Sequence, residues 1–422
     1  MDQTTDGLRD PRTARVARGG VRARERALAP DLARGLMLLL IVLSNTAFHL
    51  YAAEHGPSGW HPVDGSALDR AVRLIMIITL DMRVYPLFGF LFGYGMMQMF
   101  LRQTAAGTSE RRAARLLYRR GFWLIVIGLL HSTLLMAGDI VGAYGVASLL
   151  LVLLFLRRRP RTQLVWAGIA AVVTVLLYSG PLWALAGGDV GAFGPAAGDP
   201  PSTREYASGT ESYLDAMGTR ATTGFFVTFV GGPLMLTAPQ MILAFWAARR
   251  RVLEEPHRHL RLLRWTAAVA VPVGWLGALP MALAHSGIWH VPPAALSAEG
   301  TLAALRDVTG TFGGVGYVAV FALLAHHLSG RARRHPVTAA VTAVGKRSLS
   351  TYLTHSLIFA PVLAAWGLGL GAHLNSATVA LFAIGVWLVT VAAAHALERA
   401  GRRGPAEAVL RRLTYGAADR RG

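Results

Sequence analysis

The sequence predicts an all-α membrane protein, a polytopic bundle of about ten transmembrane helices with both termini cytoplasmic. Three observations predict it. Of the 422 residues, 53% are hydrophobic and 15% charged, and the mean hydropathy is +0.43, which is not the balance of a soluble enzyme. The apolar residues recur in blocks of about 20, the length that crosses a ~30 Å hydrocarbon layer. The formal net charge of +19 comes from short basic clusters between those blocks, almost all of them arginine, with Lys346 the sole lysine. Cytoplasmic loops collect such residues, so the charge reads as topology and not as a nucleic-acid surface. Cysteine is absent, which removes disulfides, thiolate metal sites and a cysteine nucleophile while leaving the redox compartment open.

In chain order, residues 1–30 carry seven arginines between Arg9 and Arg26 and read as a disordered cytoplasmic arm held near anionic lipid. No small-residue cleavage site follows a short apolar core, so the first block reads as an uncleaved anchor. Residues 31–397 form a single transmembrane domain with spans at 33–51, 83–101, 120–137, 139–156, 163–186, 222–247, 265–285, 302–328, 348–368 and 375–397. The loops at 102–119, 157–162, 248–264 and 329–347 are arginine-rich, whereas those at 52–66, 187–221, 286–301 and 369–374 are nearly free of basic residues. That alternation sets the orientation. The stretch "ALDRAVRLIMIIT", 67–79, is too short to span comfortably, and counting it would invert every later loop, so an interfacial or re-entrant helix is expected there. The outer loop at 187–221 is too small for a separate domain. Residues 398–422 form a cytoplasmic tail, in which "GPAEAVLRRLTYG" is an amphipathic anchor with Val409, Leu410 and Leu413 toward lipid and Arg411 and Arg412 toward headgroups.

Polar residues inside the apolar blocks are the candidates for function. In "RGLMLLLIVLSN", Arg34 and Asn45 stand eleven positions apart, which on a helix is within about 20° of whole turns and a rise of ~16 Å. They share a face, with His49 one further turn along it. The same spacing recurs in "RGFWLIVIGLLH", where Arg120 precedes His131. Singly, each has a plain explanation: an arginine snorkels to lipid phosphate, and an amide or histidine bonds a neighbouring helix. Together they predict a polar groove shared by two spans. Asp139, after the turn at Gly138, opens the next helix, where capping accounts for a carboxylate. In "GKRSLSTYLTH", Lys346 and Arg347 fit positive-inside anchoring, and Tyr352 and His355 are spaced to meet one ligand. Gly89 and Gly93 in "FGFLFGYG" have the small-xxx-small spacing of close helix packing, and Asp81 and Arg83 read as a surface ion pair.

Five stretches carry a family resemblance: "DLARGLMLLLIVLSN", "RVYPLFGFLFGYGMMQ", "GLLHSTLLMAGDIVGAYGVASLL", "GKRSLSTYLTHSLI" and "GPAEAVLRRLTYG". In order along the chain, they resemble the YeiB family of bacterial inner-membrane proteins, a domain of undefined activity, and this implies a multi-pass protein of the plasma (inner) membrane. More distantly, the first span resembles the heparan-α-glucosaminide N-acetyltransferase group of transmembrane acyltransferases, which move an acyl group from cytosolic acyl-CoA to a sugar or other acceptor. There an asparagine in the first span is followed by a histidine in the outer loop. Here Asn45 is followed by His55 at an approximate spacing, and a solvated loop histidine is the plainer reading of His55.

Acyl transfer needs cations for the phosphates of acyl-CoA, and Arg34, Arg120 and Arg347 are placed for that at the cytoplasmic face. It needs a base, for which His131, His55 and His355 qualify, and an oxyanion donor, for which Asn45 qualifies. No cofactor is expected to be bound, acyl-CoA entering as a co-substrate, and no metal site is expected. The sequence shows no phosphate loop, metalloprotease helix, nucleophile elbow or heme-binding spacing. The second hypothesis is a transporter or exporter of a small or amphipathic molecule, in which the same residues line a path without chemistry. Expected partners are membrane lipids, a small-molecule acceptor or transported substrate, and a homo-oligomer, with no nucleic acid.

Overall fold

A chain in hydrocarbon satisfies its backbone polar groups within each segment, so the apolar blocks wind into α-helices. The computed structural model describes residues 27–195, 199–235, 239–330 and 335–416, and no β-strand forms among them. The arginine-rich arm before residue 27 lies outside the described residues. The helices are α1 (Leu28–Ser44), α2 (Ala67–Thr79), α3 (Val84–Ala105), α4 (Glu110–Leu134), α5 (Ile140–Leu154), α6 (Pro160–Leu177), α7 (Ser179–Ala186), α8 (Ser202–Tyr206) and α9 (Tyr213–Phe226). They continue through α10 (Gly232–Leu234), α11 (Gln240–Arg249), α12 (Leu260–His285), α13 (Thr301–His327), α14 (Pro336–Lys346), α15 (Ser348–Leu363), α16 (Ser376–Arg399) and α17 (Pro405–Tyr415). Six segments among the described residues are long and apolar enough to cross a membrane. The protein is therefore an all-α, multi-pass membrane protein.

Several boundaries differ from the sequence expectation for identifiable reasons. α1 stops at Ser44, and residues Thr46–His49 tighten into a 3-10 turn, so the first block is not an α-helix continuous to residue 51. The block at 222–247 starts earlier, at Tyr213, and is interrupted by a π-helical turn at Val227–Gly231. Pro233 and Pro239 follow, each lacking the amide that an uninterrupted helix needs. The arginine-rich stretch 329–347 contains a helix, α14, whose Val341, Ala343 and Val344 are buried. α14 packs on α1 at near-backbone contact, because a Cβ at Gly35 would overlap the carbonyl of Val341 and one at Gly345 the carbonyl of Asp31.

The segment 67–79 forms a helix of its own, α2. α2 is followed by a break in which Met82 adopts a left-handed φ of 57°, and its first turn is fastened to the start of α16. Asp69 accepts from the Ala377 amide at 2.9 Å, and Arg73 donates to Ser376 Oγ at 3.2 Å. Gly89 and Gly93 bring α3 against α11, a Cβ at Gly93 lying 2.9 Å from the Met241 carbonyl. α4 and α5 approach as closely, Gly128 facing the backbone of Gly142. Outside this core, α6, α9, α12 and α16 expose rows of large apolar side chains, among them Val165, Phe225, Trp265 and Leu381, the surface that hydrocarbon covers.

Candidate functional site

The basic ends of α1, α3, α4 and α15, with α17, surround a cavity of about 920 Å³. Nine basic and four acidic side chains line it, so its mouth carries a positive excess. One helical turn inward from Arg34 and from Arg120 the wall becomes apolar. Met37 follows Arg34 on α1, Leu124 follows Arg120 on α4, and Phe88, Val141, Tyr144 and Tyr352 complete the interior. The size is that of a ligand site, and the gradient from cationic rim to aromatic floor fits a molecule with an anionic head and an apolar tail.

Local folding sets each cation. Arg34 pairs with Asp31 at 3.4 Å and donates to the Leu91 carbonyl at 3.3 Å. Its guanidinium lies against α3 because Gly95 has no side chain, a Cβ there meeting Nη2 at 2.8 Å. Arg347 is buried and braced by Glu398 at 2.7 Å and by the Ala343 and Arg402 carbonyls, while Lys346 holds the other oxygen of Glu398 at 2.6 Å. Simple anchoring to headgroups therefore does not describe Arg347. Arg120 makes no ion pair among the described residues and faces the same cavity.

The tail also differs from expectation. Leu410 and Thr414 are buried and, with Arg411 and Tyr415, line the cavity. Glu407 caps α15, accepting from the amides of Leu349 at 2.7 Å and Ser350 at 3.1 Å and from the Ser350 hydroxyl at 2.5 Å. Val409 stays exposed and Arg119 donates to the Leu413 carbonyl at 2.9 Å. The amphipathic helix thus turns Leu410 and Thr414 to the bundle, held there by Glu407, bonded to α15, and by Arg119 of α4.

At the inner end of the cavity, Tyr352 reaches the Asp139 carboxylate, Oη to Oδ1 at 3.4 Å, and its ring lies 5.2 Å from that of His131. His131 Nδ1 and Asp139 Oδ1 are 2.8 Å apart, with both side chains buried. Asp139 Oδ2 accepts from the Gly142 amide at 2.7 Å, so the residue caps α5 and orients the histidine at once. Capping alone, the sequence reading, leaves out that second role. With Nδ1 held by the carboxylate, Nε2 of His131 is the free ring nitrogen, and it has no partner among the described residues. A histidine oriented by a buried carboxylate, with its other nitrogen unengaged, has the make-up of a general base; His131 itself does not line the cavity, and Tyr352 is the member of this group that does.

The remaining candidates separate. Arg34 and Arg120 share the cavity, but Asn45 does not line it; its Nδ2 lies 3.8 Å from Met136 Sδ. The α1 lining of the cavity ends at Met37, and Asn45 and His49 lie beyond it along the chain. His355 diverges from Tyr352, its Nε2 lying 3.3 Å from Thr390 Oγ1 on α16. Although i and i+3 share a helical face, the two do not meet one ligand, because Tyr352 lines the cavity and His355, turned to α16, does not. His55 is half-buried and not a freely solvated loop residue: Nδ1 is 2.9 Å from the Ala53 carbonyl, and burial lowers its pKa below the usual imidazole value.

At the opposite end of the bundle the sequence reading missed a buried polar cluster. Asp81 and Arg83 are fully buried and do not form the expected surface pair. His61 Nε2 meets Asp81 at 2.9 Å, Arg83 donates to the backbone carbonyls of Ile77, Asp81 and Gly274, and Arg306 pairs with Asp307 at 2.8 Å. Asp81 and Arg83 could have drawn attention as charges flanking an apolar block. Nothing in the pattern links His61 to them across 20 positions.

Fold and cavity together define a multi-pass, all-α membrane protein with a ligand-sized, basic-mouthed cavity. Residues 247–417 match the family described as a protein of unknown function, DUF418. Over 93% of its length the chain is similar to the uncharacterized protein YxaH of Bacillus subtilis (strain 168), at 24% identity and covering 94% of that protein. It is also 27% identical to the uncharacterized protein YeiB of Escherichia coli (strain K12), covering 93% of this chain and 97% of the relative. The chain is thus similar to YeiB along nearly its whole length, and its C-terminal part matches DUF418. No solved structure matches it.

Proposed function

We propose that this protein is a membrane acyltransferase that takes an acyl group from acyl-CoA and delivers it to a hydroxyl-bearing acceptor. The observation that carries the reading is the cavity's gradient, from an arginine rim to a floor at Tyr352 in contact with the His131–Asp139 pair. Arginine forks on the rim would hold the donor's phosphates, Arg34 and Arg120 first and the braced Arg347 behind them. The acyl-bearing arm would lie along Met37, Leu124 and Tyr144. The ~16 Å rise from Arg120 to His131 is the length such an arm spans.

In the transfer step His131 Nε2 takes the acceptor's hydroxyl proton as the acceptor oxygen bonds the thioester carbon. The carbon–sulfur bond breaks, its electron pair leaves on sulfur, and the proton passes from His131 to the thiolate. Asp139 stabilises the transient imidazolium. Asn45, His355 and His55 fall outside this reaction centre. The arginine-rich end is cytoplasmic in this reading, the chain crosses the inner membrane ten times, and both termini face the cytosol, where the donor is found.

The test is acetyl-CoA binding to the purified protein by calorimetry, with Arg120→Ala beside it, followed by thiol release in the presence of candidate acceptors. The chain has no cysteine, so every thiol detected is product. Micromolar binding weakened in Arg120→Ala supports the reading. No binding to folded protein overturns it, and substrate flux in sealed vesicles without any acyl donor would then favour a transport role.

A further inference from the structure

Behind His131, away from the large cavity, lies a second and much smaller pocket of about 10 Å³, lined by His49, Met136, Tyr206, Ser208, Arg220 and Trp366 among others. Its volume is on the order of one water-sized group. The two cavities are separated by the residues of the candidate reaction centre. The amides of Leu135 and Met136 bond the His131 carbonyl at 2.9 and 3.2 Å, both side chains line the small pocket, and Tyr352 on the other side of His131 lines the large one.

The polar groups of the small pocket are not balanced. His49 is 4% exposed, yet neither ring nitrogen has a hydrogen-bond partner among the described residues, and the indole nitrogen of Trp366 is buried without one as well. Burying such a group without a partner is unfavourable. The other walls are engaged. Arg220 donates to the Thr133 and Leu134 carbonyls at 3.2 and 3.3 Å and lies over the rings of Tyr213 and Trp366, 5.4 and 5.6 Å from their centroids, the two rings meeting edge-on. Ser208 Oγ donates to the Phe48 carbonyl at 2.7 Å, and Tyr206 stacks on Phe48 with centroids 4.0 Å apart. His49 itself is fixed by an edge contact with Phe359, 5.5 Å between ring centroids. A rigid frame therefore presents one imidazole, able to accept and donate, and one indole donor to a space that fits a single hydroxyl. Arg220, the one cation in the lining, turns Nε and Nη2 to the Thr133 and Leu134 carbonyls.

We infer that this pocket binds the hydroxyl group of a small uncharged polar molecule entering from the end of the bundle opposite the arginine rim, with His49 as the residue that holds it. Its role as the acceptor site rests on the acyl-transfer reading; the binding itself does not. Donor and acceptor would then approach His131 from opposite ends.

The test uses full-length protein in nanodiscs prepared without glycerol, with glycerol as the probe, read by saturation-transfer difference NMR. Acetyl-CoA binding is measured on the same samples. His49→Phe keeps the ring contact and removes both nitrogens, and Ala360→Leu fills the pocket from another wall without touching a hydrogen bond. The expected result is transfer to glycerol in the parent protein and a loss of about ten-fold in apparent affinity in each variant, the loss of one or two hydrogen bonds, with acetyl-CoA binding unchanged. Absence of transfer in the parent, or transfer that survives both substitutions, overturns the pocket and leaves the donor reading standing. Glycerol binding lost in the variants of a protein that binds no acyl-CoA sustains the pocket and removes the acyl-transfer reading.

Discussion

Arg120 and Arg347 line the same cavity but hold different positions in the structure. Arg347 ties α15 to α16 through Glu398, so Arg347→Ala should leave that carboxylate under-satisfied and cost about 1–3 kcal/mol of stability, visible as a lower melting temperature in detergent. Arg120 makes no such contact, so Arg120→Ala should leave the melting temperature unchanged and weaken acetyl-CoA binding. The reverse assignment, with Arg120→Ala unfolding the protein, would remove Arg120 from the donor site. For His131 the expected signature is kinetic. His131→Asn should lower turnover by about 10²–10⁴-fold, the usual worth of a general base, at unchanged donor affinity, and Asp139→Asn should follow it in direction. Arg34, Arg120 and His131 were legible as residues because charges and imidazoles are rare in apolar blocks. Their partners were not, since Asp31, Asp139 and Tyr352 become meaningful only when packing fixes who touches whom.

At the scale of the element, helices within apolar blocks are written in composition, and helices that serve another helix are not. α14 lies in a stretch that reads as a basic loop, but Gly35 and Gly345 let it lie on α1 at backbone contact. Gly345→Ala would drive a methyl group into the Asp31 carbonyl, and overpacking of this kind costs about 1–3 kcal/mol. A melting curve should show it, whereas Gly385→Ala, at a position with open space around it, should not. α17 was legible as amphipathic, and its apolar side was misassigned to lipid because the pattern gives a face without naming what covers it. Glu407 supplies the cap that α15 lacks from its own residues. Glu407→Ala should therefore cost about 0.5–2 kcal/mol, like loss of an N-cap, and speed hydrogen exchange in both α17 and the first turn of α15. Exchange rising in α17 alone would mean that the helix rests on the rim without holding α15.

For the whole molecule, the charge pattern and the helix lengths answer different questions. Length and apolarity pick out six segments, because α5 has 15 residues, α15 has 16, the stretch from Tyr213 to Arg249 is broken, and α4, though 25 residues long, spends its first half on charged residues. Arginine alternation counts ten crossings, because it reads only which side each loop faces. The two agree if short or broken helices cross within a bundle that shields their ends, where irregular backbone is tolerated. The cysteine-free chain makes this directly measurable with single cysteines in intact cells. Gly188→Cys, in open space after α7, should react with a membrane-impermeant maleimide from outside. Gly107→Cys between α3 and α4 and Gly401→Cys after α16, both likewise in open space, should react only after the membrane is opened. Labelling of Gly107→Cys in sealed cells would reverse the orientation and put the arginine rim on the face where no acyl-CoA is found. That result would remove the donor from the large cavity whatever its shape, so the topology experiment bears on the chemistry as directly as any substitution within the site.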